Sequence, residues 1–343
     1  MGNLFAYSAM TTKIRSLRST LFTSENYQEL ASMADVPNAL EYLKKHPAYG
    51  DLFVNGKETA LHRGEIEHLL THAVYRDFQK IYRFASAEQR RFLKLYFHRY
   101  EVSLLKTGLR MVLNHRNISP NLTAFEDFFR KHSDVDLAKV FASRTLEEFA
   151  QNLSGSIYDE PLRRLLTLRA PALRDYELAL DLFYFKWFFR TGCKILKKGQ
   201  LSHFREAYGT KMDLLNISWI YRSHQYFHMS DADIYAQLIP VQYHLHDKDI
   251  LALVLANSEE EFTAALRHTY YRKYYEKSSD RNLAEAYICI RQTIQRKAAV
   301  SDPYSIAPVI SYLYEKEHEI DKITTVLECI RYGLPQEKTL RFL

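Results

Sequence analysis

The chain has 343 residues, of which 47% are apolar and 26% are charged, and this balance excludes an intrinsically disordered protein. Only 10 residues are glycine, about 3% against an average of about 7%, which disfavours a fold of tight turns and favours helices. The net charge of +6 is unevenly spread, because residues 1–115 and 116–222 carry +5 and +4 and residues 223–343 carry −3.

The first predicted helix has Ile14, Leu17 and Leu21 on one stripe, a spacing typical of an amphipathic helix. The residues before it lack the apolar core of a signal peptide. The most aromatic stretch, 182–189, is interrupted by Lys186, and no run approaches the roughly 18 apolar residues of a membrane span. We therefore expect a protein that does not cross a membrane.

Three predicted helix starts follow one another at nearly equal intervals, each close to a third of the chain. Asp35 is the first predicted N-cap. Thr145 and Ser258 are each followed three residues later by a glutamate, the pattern of a capping box. Ahead of the second and third starts, the apolar pattern of 137–143 returns at 251–257. This recurrence indicates an internal repeat.

A second element repeats in the same order and is also helical in pattern. Glu101, Asp213 and Glu319 are each followed by apolar residues one, four and eight positions later, which form one stripe of a helix. A third marker pairs Ser119-Pro120 with Ser230-Asp231, at nearly the same interval, as two further helix starts. Three unrelated markers with one period predict three copies of one helical module.

The repeats and the lack of alternating strand patterns predict an all-α fold. We place the modules at residues 1–115, 116–224 and 225–343. The predicted linkers lie near 115–123 and 224–233. The last helix is expected to end before Gly333, which suits a left-handed C-cap, and Pro335 blocks its continuation.

Motifs for catalysis, nucleotide binding or metal binding are missing from the sequence, which has neither a P-loop nor a dinucleotide-binding glycine motif. His244 and His246 lie two residues apart, on different sides of a helix, and Asp247 is the predicted cap of the helix that follows; a metal site is the weaker alternative. The three cysteines lack metal-site spacing and are expected to be free or buried thiols in a reducing compartment: Cys193, Cys289 and Cys329. We predict no catalytic residue, no cofactor and no metal.

Two basic clusters leave other partners open. In the segment 270–275 two basic residues alternate with tyrosines, which could stack on nucleic-acid bases. We favour a helix with its tyrosine rings packed inward and both cations at the surface, and so predict no nucleic-acid partner. Lys194, Lys197 and Lys198 are interpreted as cations of a last helical turn that face the negative end of its dipole, with attraction to a membrane surface as the alternative.

The opening segment 7–21 resembles the first helix of the C subunit of prokaryotic A/V-type ATPases, the counterpart of the eukaryotic d subunit. The segments 213–222, 238–240 and 331–335 are similar to the same family, in the same order and spacing along the whole chain. The resemblance implies three pseudo-equivalent helical modules that close into a funnel with pseudo-threefold symmetry.

The resemblance also implies a function. The chain would be a non-catalytic central-stalk adaptor that links the rotating shaft, of D/F-type subunits, to the membrane rotor ring. It would transmit torque for ATP-coupled proton or sodium transport. Its expected location is the cytoplasmic face of the cell membrane, where it would be peripheral and not inserted.

Arg110 and Arg222 occupy matching ends of repeated helices, and Arg331 lies near the end of the third. We predict that these arginines contact partner subunits, with bonds to the last-turn carbonyls of their own helices as the alternative. The alternative for the whole chain is an all-α solenoid that binds a peptide or a nucleic acid. An enzyme with a cleft between modules would need converging carboxylates or a metal cluster, which the spacing does not supply.

Overall fold

The computed structural model describes residues 2–53, 63–114, 125–167, 171–277 and 282–343, and over these residues it is helical and has no strand. The all-α prediction is therefore confirmed. In the same ranges no helix is both long enough and apolar enough to cross a membrane. The predicted helix start at Ser119-Pro120 and the predicted linker near 115–123 lie outside the described residues.

The helices vary widely in length. In chain order they are α1 (Gly2–Arg18), α2 (Ser24–Ala31), α3 (Val36–Lys45), α4 (Arg63–Phe84), α5 (Ala87–Leu113), α6 (Glu126–His132), α7 (Leu137–Ala142), α8 (Leu146–Asn152), α9 (Asp159–Leu166), α10 (Leu173–Ile195), α11 (Lys198–Phe204), α12 (Thr210–Arg222), α13 (Asp231–Ala236), α14 (Asp247–Val254), α15 (Glu259–Arg267), α16 (Arg272–Glu276), α17 (Leu283–Ser301), α18 (Ala307–Arg331) and α19 (Gln336–Leu340). They form two compact units. The first unit comprises Met1–Ser86, Asn121–Phe129 and Asp302–Leu343, and the second comprises Ala87–Pro120 and Arg130–Ser301.

The first unit is organised around α18, although this helix lies close to the C-terminal end of the chain. It packs against α1, α2, α3 and α4. Arg18 of α1 forms an ion pair with Glu315 of α18 at 2.8 Å. After α18, the Gln336 side chain donates a hydrogen bond to the carbonyl of Gln28 at 2.9 Å. The first and last parts of the chain therefore share one core.

The second unit is built on two long helices, α5 and α10, which pack against each other, and on a long helical run over 198–227. In that run α11 continues into α12 through a π-helical segment at Arg205–Gly209, and a second π-helical segment at Ser223–Phe227 follows α12. The predicted linker near 224–233 is therefore wrong except over residues 228–230, which lie between this run and α13. The helix ends at His228, whose φ of 46° is left-handed.

The N-caps predicted at the repeated helix starts are confirmed, whereas the glutamates of the two predicted capping boxes accept from a different N–H. Asp35, Thr145 and Ser258 each accept the backbone N–H three residues later, at 2.8, 3.2 and 3.1 Å. The glutamates at these third positions in α8 and α15 do not bind the N–H of the cap itself. They accept instead from the residue before the cap, at 2.8 and 2.9 Å. Ser230 caps α13 in the same way, since its hydroxyl accepts from the N–H of Asp233 at 3.2 Å.

Two predictions about helix ends are wrong in detail. α14 begins at Asp247, but the capping carboxylate belongs to Asp249, which accepts from the N–H of His246 at 3.0 Å. A side chain two residues further along the chain is better placed to reach back over the first turn. α1 ends at Arg18, so Leu21 follows the helix and does not extend its stripe.

The basic cluster after α10 also differs from its prediction. α10 ends at Ile195, so Lys194 lies in its last turn, but Lys197 and Lys198 lie beyond it. The backbone turns at Lys198, whose φ is 50°. At the end of α18 the prediction is confirmed, because Gly333 has a φ of 67° and the helix stops before it.

Candidate functional site

The three acids that mark the repeated helices are buried, with 1%, 0% and 4% of their surface exposed. Each accepts a hydrogen bond from a buried tyrosine distant in sequence. The pairs, which we call the first, second and third acid–tyrosine nodes, are Glu101 with Tyr158 at 2.8 Å, Asp213 with Tyr271 at 2.7 Å, and Glu319 with Tyr49. The apolar residues that follow each acid line the core below it, so a repeated helical stripe positions a repeated polar contact.

One turn before each acid, on the same helix, lies a second polar partner. In the first node His98 Nδ1 donates to its acid at 2.5 Å. In the third node Lys316 Nζ donates to its acid at 2.6 Å and to the tyrosine hydroxyl at 2.9 Å. In the second node this position is Thr210, which is buried and opposes the rise in the pKa of the tyrosine hydroxyl. The geometry repeats, whereas the chemistry of the added partner changes from node to node.

A third segment also reaches each acid. Glu319 accepts the N–H of Phe22 at 2.5 Å. Asp213 accepts three consecutive N–H groups, of which the closest is that of His244 at 2.7 Å. In the first node Ser133 lies near Glu101 and helps to lower its pKa, but Glu101 Oε1 accepts no hydrogen bond from a described residue. Positions 22, 133 and 244 are evenly spaced along the chain. The second and third nodes therefore each join three separate segments of the chain at one buried carboxyl group, and the first node joins two.

The order of these contacts along the chain is informative. Glu101 binds a tyrosine that comes later in the sequence, and Asp213 binds both a later segment and a later tyrosine. Glu319 instead binds Phe22 and Tyr49, which come 297 and 270 residues before it in the sequence. The third node is thus the same contact as the other two, made between the last repeated helix and the first residues.

The electrostatics of the nodes keep each tyrosine protonated. Burial, and then the neighbouring acid, raise the pKa of all three tyrosine hydroxyls well above its ordinary value. The pKa values of Glu101 and Asp213 are shifted in opposite directions. Although burial opposes it, His98, Ser133 and Tyr158 together hold the pKa of Glu101 below its usual value. Burial outweighs the donors around Asp213 and raises its pKa.

The nodes are better suited to holding segments of the chain together than to catalysis. The nodes bury their acids among internal donors, and a tyrosine whose pKa is raised is a poor nucleophile and a poor base. Across the described ranges, no three His, Cys, Asp or Glu side chains converge as a metal site would require. His244 stacks on the ring of Tyr270, with centroids 3.7 Å apart, and its pKa is lowered by burial and then by His246.

The structure places each of the three predicted contact arginines in the last turn of a helix. Arg110 of α5 donates to Glu177 of α10 at 2.6 Å. Arg331 lies 3.5 Å from Glu328, one turn earlier in α18. Arg222 is exposed at the end of α12 and forms no ion pair with any described residue. Within the described part of the chain, none of the three donates to a last-turn carbonyl.

The segment 270–275 follows its prediction only in part. Tyr271 is fully buried and the two basic residues are exposed, but Tyr270 remains 52% exposed. The three cysteines are free thiols, of which Cys329 is buried. The tyrosines of the nodes were missed from the sequence, although a signal exists: Tyr158 and Tyr271 each lie nine residues after the buried phenylalanine of a capped helix.

The sequence is similar to known proteins over nearly its whole length. The model of a family described as ATP synthase (C/AC39) subunit matches residues 10–342. The C subunit of the A-type ATP synthase of Pyrococcus abyssi is 26% identical, over 97% of this chain and 88% of that protein. The proteins of the same name from Haloquadratum walsbyi and Archaeoglobus fulgidus are 22% and 21% identical, over 96% and 99% of this chain and 95% and 96% of their own lengths.

Proposed function

Because the chain belongs to the ATP synthase (C/AC39) subunit family, we propose that it is a subunit of a rotary A/V-type ATPase and that it serves there as the central-stalk adaptor. In this role it is non-catalytic. It links shaft subunits of the D/F type to the membrane rotor ring and transmits torque between ATP turnover and proton or sodium transport. Its place is the cytoplasmic face of the membrane, as a peripheral part of the complex.

The observation that carries this proposal is the threefold repetition of the acid–tyrosine node. It supports three equivalent modules, which we propose to be residues 1–115, 116–224 and 225–343. In an open row of modules the last acid would have no equivalent partner. The contact of Glu319 with Phe22 and Tyr49 therefore favours a closed, pseudo-threefold funnel over a solenoid.

A part that transmits torque must resist deformation. Each node ties a helix to at least one other segment through hydrogen bonds that are shielded from water, where such bonds are strong and costly to break. The third node adds a buried ion pair, since Lys316 and Glu319 expose only 1% and 4% of their side chains. These contacts support a stiff body and need no chemical step.

We propose Arg110, Arg222 and Arg331 as contacts to partner subunits. Arg222 is the most available, because it has no ion-pair partner among the described residues. Arg110 and Arg331 would each have to exchange an internal glutamate for a carboxylate of the partner. Replacing Arg222 by glutamate should weaken capture of the shaft subunits on immobilised protein, whereas replacing the exposed Lys338 by glutamate should leave capture unchanged.

The decisive experiment is reconstitution of the ATPase in vesicles with and without this chain. We expect the chain to bind both the shaft subunits and the rotor ring. Without it, ATP hydrolysis should continue while ion transport is lost. Coupled transport at an unchanged rate in its absence would refute the adaptor role, as would ATP hydrolysis by the purified chain alone.

A further inference from the structure

A groove of about 880 Å³ lies in the second unit between α9 and α10, with Pro240 at its edge. Its floor is apolar and half-buried and consists of Leu165, Leu182, Phe183 and Trp187. A concave apolar strip bordered by charged side chains is the usual form of a binding site for an amphipathic helix.

The floor of the groove is held in place by the first node. The ring of Trp187 meets the ring of His98 edge-on, with centroids 4.6 Å apart. Phe183 meets Tyr158 edge-on at 6.2 Å. His98 and Tyr158 are themselves bonded to the buried Glu101. Because these aromatic side chains are already ordered, a ligand that packs on them loses little affinity to the ordering of the site.

The border of the groove carries positive charge that is not neutralised internally. Lys186, Arg190 and Lys194 follow one another at intervals of four residues, which places them on one face of α10. All three are exposed, and none forms an ion pair with another described residue. Arg164, on the α9 side, is paired with Glu160, the only acid among the described lining residues. The repulsion between three neighbouring cations would be reduced by carboxylates of a partner.

We propose that this groove binds an acidic amphipathic helix of a partner protein. Its apolar stripe would lie on Phe183 and Trp187, and its flanking carboxylates would pair with the row on α10. From Ala179 to Lys194 the lining extends over about 22 Å, enough for about four helical turns. A flat lipid surface would reach the row of cations but not the floor, and would leave the aromatic contacts unused.

This proposal goes beyond the adaptor role and does not depend on it, since it can be tested on the isolated full-length chain. Trp187 is a built-in reporter, because the chain has 2 tryptophans and Trp219→Phe leaves only the one in the groove. The probe is a synthetic helical peptide of about 16 residues with a leucine stripe flanked by glutamates. We expect it to shift the Trp187 emission in a saturable way, with affinity that falls as salt rises.

Matched variants separate the groove from general charge. The triple variant Lys186→Glu, Arg190→Glu, Lys194→Glu should weaken binding about tenfold or more, since three ion pairs become repulsive. The control Lys139→Glu, Lys248→Glu, Lys273→Glu alters three exposed lysines elsewhere in the same unit by the same total charge, and should bind within about twofold of the parent. The neutral triple variant with glutamine at the groove positions should lie between them.

Three results would overturn the proposal. One is equal affinity of the groove variant and its control. Another is equal binding of a peptide in which lysine replaces every glutamate. The third is a Trp187 shift with vesicles of phosphatidylserine and phosphatidylcholine but not with the acidic peptide, which would assign the groove to a lipid surface.

Discussion

Replacing Tyr271 by phenylalanine tests the second node most directly, because it removes one hydroxyl group and keeps the ring. Tyr271 is fully buried, and its hydroxyl donates to Asp213 at 2.7 Å. A hydrogen bond to a carboxylate contributes about 1.5–3 kcal/mol. Asp213 keeps three backbone N–H donors at 2.7–3.2 Å, so the loss should be near the lower end, about 1.5–2 kcal/mol.

The neighbouring residue supplies the control. Tyr270 is 52% exposed and stacks on His244, so Tyr270→Phe should change the free energy of unfolding by less than about 0.5 kcal/mol. Both variants and the parent would be unfolded in urea at neutral pH and followed by far-ultraviolet circular dichroism. The midpoint should fall for Tyr271→Phe alone, with an unchanged slope.

A double-mutant cycle then assigns the loss to the pair. Combining Tyr271→Phe with Asp213→Asn should give a coupling energy of about 0.5–3 kcal/mol, because the two side chains touch. If the two single costs simply add, or if Tyr271→Phe is no more destabilising than Tyr270→Phe, the contact does not stabilise the fold and the reasoning about the nodes fails.

Three further predictions follow from the same structure. The pKa of Glu101 is lowered in the folded chain, so the Glu101 carboxylate should stabilise the fold above its unfolded pKa of about 4.3. This stabilisation should be lost as the pH falls from there through the folded pKa, so Glu101→Gln should destabilise the fold more at neutral than at acid pH. The pKa of Asp213 is raised, so its contribution to stability should be fully present below pH about 3.9 and lost as the pH rises through its folded pKa. The loss in urea midpoint caused by Asp213→Asn should therefore be larger at acid than at neutral pH, opposite to that of Glu101→Gln. The same pH trend for both variants would contradict the two pKa directions. Lys316→Met should cost about 3–5 kcal/mol, since it leaves Glu319 buried without its cation, whereas Lys338→Met at the surface should be silent in the same urea titration. Gly192→Ala would place a Cβ inside van der Waals distance of the ring of Phe204 and should lower the free energy of unfolding by about 1–3 kcal/mol, measured by thermal unfolding. The control Gly199→Ala, whose Cβ meets nothing within 4 Å, should be neutral. Equal melting temperatures of the two variants would contradict the tight contact at Gly192.

What the sequence predicted correctly is mostly local. Caps such as Thr145 and Ser258 depend on a hydroxyl and an amide three residues apart, so a short segment contains all the information that they require. The end of α18 at Gly333 and Pro335 is similar, because both residues restrict the backbone wherever they occur. The helical stripes after the three acids were also found, since the helical period is visible in a single segment.

The parts that could not be predicted depend on distant contacts. Glu319 and Tyr49 are 270 residues apart, and nothing near either residue indicates its partner. The π-helical segment before α12 is another example. A Cβ at Gly209 would lie 2.5 Å from the ring of Tyr243, so this path of the helix depends on close packing against a segment that follows much later in the chain. For the nodes, only alignment of the repeats with one another could have indicated the tyrosines.

The acid–tyrosine nodes recur three times, whereas the net charge differs from one part of the sequence to the next, and the proposed function would explain both. Inside, the three nodes share an acid–tyrosine contact. Their added partners differ, however, from His98 to Thr210 to Lys316. Along the sequence, the net charge changes from +5 and +4 over residues 1–115 and 116–222 to −3 over residues 223–343. In the proposed role, a shaft without threefold symmetry would present a different face to each proposed module, and contacts that are not equivalent would prevent slippage. An adaptor of the proposed kind would therefore need nodes that repeat in the core and charges that differ from module to module. An oligomer of three identical modules would carry the same charges on each module and so could not match such a shaft.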